Sequence, residues 1–128
     1  VLWGNEVLHV LVTHLDRTVD RQVQLQFVAE LFLALPEPAI LMGDLNTTAA
    51  DPTLARLLAA PGVRDPVADA AAGDPPPRID WILTRGLRAI DAVVEPRGPS
   101  DHPLVRARLE RRPSRAPLAE AATARPAR

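Results

Sequence analysis

Four short polar clusters carry the residue types that acid–base and metal chemistry need. They are Thr13-His14-Leu15-Asp16, Gly43-Asp44-Leu45-Asn46, Arg78-Ile79-Asp80 and Ser100-Asp101-His102. Each stands at or near the end of an apolar run, and the last lies between Pro99 and Pro103. Residues two apart at a strand end project to the same side, so Asp44 and Asn46 can face one ligand together. A carboxylate can position a water or bind a hard cation, and an amide can donate to a phosphate oxygen. An imidazole paired with a carboxylate transfers protons near neutral pH. Asp80 lies between Ile79 and Trp81, where a carboxylate needs a partner. His102 is one that it could orient and hold charged, as the third group of a triad does. His14 directly follows an apolar run and could donate to a phosphate oxygen.

Each cluster alone also has an ordinary reading. Asp44 and Asn46 suit a turn. Asp101-His102 suits a polar surface turn, Asp80 could accept backbone donors near Arg78, and His14 could bond Asp16 or the backbone. His9 is read as structural. Arg21 and Gln24 are read as a solvated helix face, with bracing of the Asp44 loop as the alternative.

The elements that would position these clusters follow from periodicity. Val1 to Asn5 and Glu6 to Leu15 are predicted strands joined at Gly4-Asn5, a dipeptide suited to a hairpin turn. Val7 to Val12 is nearly all apolar and predicts a central strand covered on both faces. Leu25, Val28, Leu31, Phe32 and Leu35 form one stripe of a helix over Thr18 to Leu35, stopped by Pro36 and Pro38. Ala39 to Met42 is a short buried strand. Asp51 caps a helix with Pro52 in its first turn, and Leu54, Leu57 and Leu58 form its stripe. Pro61-Gly62 ends it. Val63 to Pro77 is predicted as loop. Ile79 to Thr84, Leu87 to Val94 and Leu104 to Leu109 are predicted strands, and a disordered tail is expected after Arg112. Helices alternating with strands, then strands alone, imply a mixed sheet with helices packed outside it.

Composition narrows the function classes. The sequence has 128 residues, 47% of them apolar, enough for one modest domain with a real core. The net charge of -1, with no long basic run, argues against tight non-specific binding to nucleic acid. Arg supplies all fifteen basic residues, which with the abundant Ala and Pro reads as the codon bias of a GC-rich bacterial genome. The absence of Cys excludes disulfides and thiolate metal sites. No apolar run approaches a membrane-spanning length.

The four clusters in this order, with Arg-Ile-Asp-Trp-Ile-Leu and Ser-Asp-His-Pro-Leu extending the last two, resemble the endonuclease/exonuclease/phosphatase superfamily. This group includes DNase I-like nucleases, abasic-site endonucleases, sphingomyelinases and inositol-phosphate phosphatases. The resemblance runs from about Val7 to Leu109 and corresponds to the C-terminal half of that domain. It implies an α/β (α+β) fold, a DNase I-like four-layer sandwich of mixed β-sheets flanked by helices. Residues 1–110 would be the C-terminal part, and 111–128 a Pro/Ala/Arg-rich tail.

The resemblance also implies roles. His102 is similar to the family's catalytic His, with Asp80 as its orienting carboxylate. Asp44 matches the residue that activates or positions the attacking water, and Asn46 a phosphate ligand beside it. His14 matches the second active-site His on the scissile phosphate. Asp101, with Asp44, would stand on the metal side. The implied cofactor is Mg²⁺ or Mn²⁺ and the implied partner a phosphate-ester substrate: nucleic acid, lipid headgroup or small phosphodiester. No stable protein partner is implied. The family's N-terminal half, which supplies an Asn and the Glu that is usually the principal metal ligand, is not represented here. These residues alone are therefore expected to be inactive and poorly stable. The loop before Arg78 is short and lacks a Thr that many members carry, which leaves the substrate open.

Two other classes compete. One is a non-catalytic member of the same fold serving as a binding or scaffold module. The other is an unrelated hydrolase using Ser100 or a Thr as nucleophile with His102, against which stands the absence of a Gly-x-Ser-x-Gly elbow.

Overall fold

Ten short elements build one mixed α/β unit, seen in a computed structural model that describes residues 1–95 and 98–112. A two-stranded hairpin opens the chain, with β1 (Leu2–Trp3) antiparallel to β2 (Glu6–Val7). Gly4 in its turn has a φ of 64°, a conformation that glycine adopts without steric cost. Then follow β3 (His9–His14), helix α1 (Arg21–Ala34), β4 (Ala39–Asp44), α2 (Pro52–Leu58), α3 (Pro66–Ala70), β5 (Asp80–Arg85), β6 (Leu87–Glu95) and β7 (Leu104–Arg111). The central sheet has the order β3-β4-β5, with β3 parallel and β5 antiparallel to β4. β6 and β7 form a separate antiparallel pair.

The central register sorts side chains onto two faces. Leu11, Leu41 and Leu83 share one row, and Gly43 pairs with Trp81 on the same side. This face packs on Leu25, Val28, Ala29 and Phe32 of α1 and on Leu54 and Leu57 of α2, all buried in one core. Arg85 ties the sheet to the end of α1, its Nη1 lying 3.2, 2.9 and 2.8 Å from the carbonyl oxygens of Phe32, Leu33 and Leu35. The opposite face carries Val10, Ile40 and Thr84 in one row, then Val12, Met42 and Ile82 in the next. A third row on that face is His14, Asp44 and Asp80.

Several expectations are corrected. β3 is not a doubly covered central strand. It starts at His9 and lies at an edge of its sheet among the described residues, with Val12 66% exposed. An apolar run shows that a strand has two apolar faces but not that both are covered. The segment Val63 to Pro77 is not all loop. Asp65 accepts from Val67 N–H and Pro66 opens α3, while Arg64 bridges to Thr84. That Asp-Pro start repeats the signature of Asp51-Pro52, but α3 is too short to show helical periodicity. α1 begins at Arg21 rather than Thr18. Asp16 instead accepts from the N–H and hydroxyl of Thr18, which hold its carboxyl below the usual range and close a turn ahead of the helix. Apart from Arg111 and Arg112, the expected tail lies outside the described residues.

One glycine fixes how closely β3 and β4 can pair. Gly43 has a φ of 138°, and a Cβ there would lie 1.8 Å from the carbonyl oxygen of Thr13. That oxygen belongs to the backbone of β3 and cannot move aside. Gly43→Ala is therefore expected to destabilise the full-length gene product by about 3 kcal/mol or more, measured by urea unfolding. A loss below about 0.5 kcal/mol, the range of ordinary surface substitutions, would contradict the assigned backbone.

Candidate active site

The third row of the sheet begins the site. β3 and β4 end, and β5 starts, at the same edge, so His14, Asp44 and Asp80 stand side by side. Backbone bonds continue past the strand ends: Leu15 N–H to Asp44 O at 2.9 Å, and Leu45 N–H to Ile79 O at 2.9 Å. The indole N–H of Trp81 donates to Thr47 O at 2.9 Å and pins the loop that leaves β4. These ties make the strand ends a rigid platform rather than free loops.

His102 arrives from the turn before β7. Its backbone N–H donates to Ser100 Oγ at 3.1 Å, so Ser100 serves as a turn former. Its Nδ1 lies 2.7 Å from Asp80 Oδ2. Its Nε2 faces Asp44 Oδ2 at 3.9 Å, and His14 Nε2 approaches the same oxygen at 3.6 Å. Both separations are too long for a direct hydrogen bond, so Asp44 Oδ2 is committed to neither imidazole. Asp44 Oδ1 is engaged by Asn46 N–H at 2.7 Å, which turns Oδ2 toward the two imidazoles. Exposure differs across the group: the side chains are 12% exposed at Asp44, 29% at His102 and 76% at His14.

The structure thus brings together His14, Asp44, Asp80 and His102. Asn46 sits in the same turn, with a φ of 47° and its Nδ2 donating to Leu15 O at 2.7 Å. One of its two amide hydrogens is used in this tie. Asp101 stands with Asp80 and His102 in the wall of a cleft of about 240 Å³, lined also by Thr48, Pro77, Ile79 and Val105. Arg78 does not partner Asp80. It pairs with Asp65 at 2.5 Å and lies 4.0 Å from the centre of the Trp81 ring. Arg21 and Gln24 are not a purely solvated face, because Arg21 donates to Asn46 O and Gln24 accepts from Asp16 N–H. The cleft residues Thr48, Val94 and Val105 gave no sequence signal, since ordinary apolar and small residues line it.

The comparisons with known proteins bear on this arrangement. The family model described as Endonuclease/Exonuclease/phosphatase family matches residues 4–102, which include all the site and cleft residues just named except Val105. The chain belongs to the endonuclease/exonuclease/phosphatase family. Among solved structures it is similar to the crystal structure of an endonuclease/exonuclease/phosphatase family protein from Bacteroides thetaiotaomicron. The TM-score is 0.50 at 19% identity, over 78% of this chain and 47% of that one. At this identity the likeness speaks for the fold, a partial DNase I-like sandwich. The chain spans a little under half the length of that relative. No curated protein matches the sequence.

The family is typically metal-dependent, and the donor set can be tested against a cation. Ligand atoms of Asp44, Asp80 and His102 lie within 4.8 Å of one another. Two carboxylates and an imidazole can hold a divalent metal ion. Asp101 lies outside this group of three.

The pairing with Asp80 has an electrostatic consequence. The hydrogen bond and then the charge of Asp80 raise the pKa of His102, with Asp101 and Asp44 adding to the effect and desolvation opposing it. A raised value means that the folded state favours the imidazolium. The pairing therefore adds stability below the ordinary histidine pKa, and this contribution fades as pH rises through the folded value. An NMR titration of the imidazole is expected to place His102 above the ordinary histidine range. Asp80→Asn should lower it toward that range, and an unchanged midpoint would contradict the pairing.

Proposed function

We propose that this chain forms the C-terminal part of a metal-dependent phosphoesterase. The proposed reaction is hydrolysis of a phosphodiester by direct in-line attack of water, with no covalent intermediate. One observation carries the reading: Asp44 Oδ2 is faced by the Nε2 atoms of His14 at 3.6 Å and His102 at 3.9 Å, while Asp80 holds His102 from behind. A carboxylate oxygen with two imidazole nitrogens close beside it, bonded to neither, can orient a water and a phosphoryl group together.

In this reading Asp44 accepts a proton from the attacking water and aims its lone pair at phosphorus. His102, held as a donor by Asp80, hydrogen-bonds a phosphoryl oxygen as negative charge builds there. His14, the most exposed of the group, contacts the same phosphate from the β3 side. The second amide hydrogen of Asn46 binds another phosphate oxygen. The new P–O bond to water forms as the bond to the leaving oxygen breaks, and the departing alkoxide takes up a proton from solvent to leave as the alcohol. Mg²⁺ or Mn²⁺, held on the Asp44 side of the site, would supply a positive charge that offsets the charge developing on the phosphate. The substrate class is a phosphodiester in nucleic acid, a lipid headgroup or a small molecule. The net charge of -1 favours the latter two over extended nucleic acid.

The full-length gene product is expected to hydrolyse an aryl phosphodiester in Mg²⁺, to stop in EDTA and to recover when Mg²⁺ is restored. His102→Ala should lower kcat by about 10²–10⁴-fold with far-UV circular dichroism unchanged. Turnover that survives both EDTA and His102→Ala would overturn the reading. Absence of both turnover and Mg²⁺ binding would favour a scaffold.

A further inference from the structure

We infer that Arg21 is a positioning residue for this reaction, acting through Asn46 on Asp44; the inference rests on the phosphoesterase reading. Arg21 is the first residue of α1 and touches neither imidazole of the site. Its Nη1 donates to the carbonyl oxygen of Asn46 at 3.1 Å, and its Nη2 lies 3.9 Å from Asp51 Oδ2. Two neighbours on the same helix turn complete a clamp. Gln22 Nε2 donates to Asp51 Oδ2 at 2.5 Å, and Gln24 Oε1 accepts from Asp16 N–H at 2.8 Å. One helix start therefore ties down both loops that leave the β3 and β4 strand ends.

The clamp has something specific to hold. Asn46 occupies the left-handed region, which Asn tolerates only at some cost. Three hydrogen bonds hold it there: its N–H to Asp44 Oδ1, its amide to Leu15 O, and its carbonyl from Arg21. The first fixes the rotation of the Asp44 carboxylate, so any loosening of Asn46 moves Oδ2 from its place beside the two imidazoles. Asp51 anchors the far end. Burial works against its charge, yet the N–H groups of Leu54 and Thr53, Gln22 and the Arg21 cation hold its carboxyl below the usual range. A planar guanidinium can serve two acceptors at once, which an ammonium cannot do in the same geometry.

The test uses the full-length gene product with Mg²⁺ and an aryl phosphodiester, comparing Arg21→Ala, Arg21→Lys and Gln26→Ala. Gln26 bonds only Glu30 on the exposed side of α1 and serves as the control. Arg21→Ala is expected to lower kcat by about 10–100-fold, the scale of a small misplacement of catalytic groups. KM should stay within about twofold, the mark of a group that does not bind substrate. Millimolar guanidinium should restore part of kcat, Arg21→Lys should fall between, and Gln26→Ala should match wild type. A kcat that is unchanged, or that falls only with the folded fraction and gains nothing from guanidinium, would overturn the inference. If the wild type itself turns over nothing, the phosphoesterase reading falls separately. The tie is then decided by hydrogen exchange at the Asn46 amide: faster exchange in Arg21→Ala supports it, and equal exchange overturns it.

Discussion

The pairing register of β3, β4 and β5 is the constraint on which the site depends. His14 pairs with Asp44, and Asp44 with Asp80, so three polar side chains share one row on one face. A slip of one residue in either pair would turn one of them to the helix-covered face. Close approach at Gly43 and Thr13 holds the first pair. Trp81, buried on the opposite face and bonded to Thr47, holds the second. The geometry of the candidate site is a by-product of sheet geometry, which is why a precise site can stand at the ends of strands.

The same face explains the contrast in environments. Below the polar row lie the apolar row Val12-Met42-Ile82 and then Val10-Ile40-Thr84, which ends in a buried threonine. Val10 and Val12 are exposed, whereas the helix face of the sheet is fully packed. Against this sparse background, few groups compete for Asp80, and His102 comes from another part of the chain to meet it. The sequence separation between them makes their contact a tertiary event, dependent on β7 folding back toward β5. Disturbance of the β6–β7 pair would thus reach the site through His102 before it reached Asp44.

Much of this was legible in the sequence, for identifiable reasons. Asp44 and Asn46 stood out because polar residues at alternating positions followed a short apolar strand. Asp80 stood out because a carboxylate between Ile79 and Trp81 demands a partner. The hairpin at Gly4-Asn5 and the cap at Asp51-Pro52 were readable from local chemistry alone. The register was not readable, because it is set by which strands pair, and no local pattern encodes that. α3 was missed because one turn of helix has no periodicity. β3 was read as covered on both faces because hydrophobicity records only the need for cover. Arg21 was read first as solvated because its spacing places it near the polar side of a helix. Its real partner, the Asn46 carbonyl, is a backbone group twenty-five residues away that sequence does not mark.

The central claim is that Asp80 and His102 act as one unit on a phosphoester held beside Asp44. The most direct measurement is a double-mutant cycle on kcat in the full-length gene product, with Asp80→Asn, His102→Gln and the pair, using an aryl phosphodiester in Mg²⁺. Residues that work as a unit are non-additive, so the double variant should be no slower than His102→Gln alone. Losses that multiply would show that Asp80 acts independently of His102 and would contradict the account.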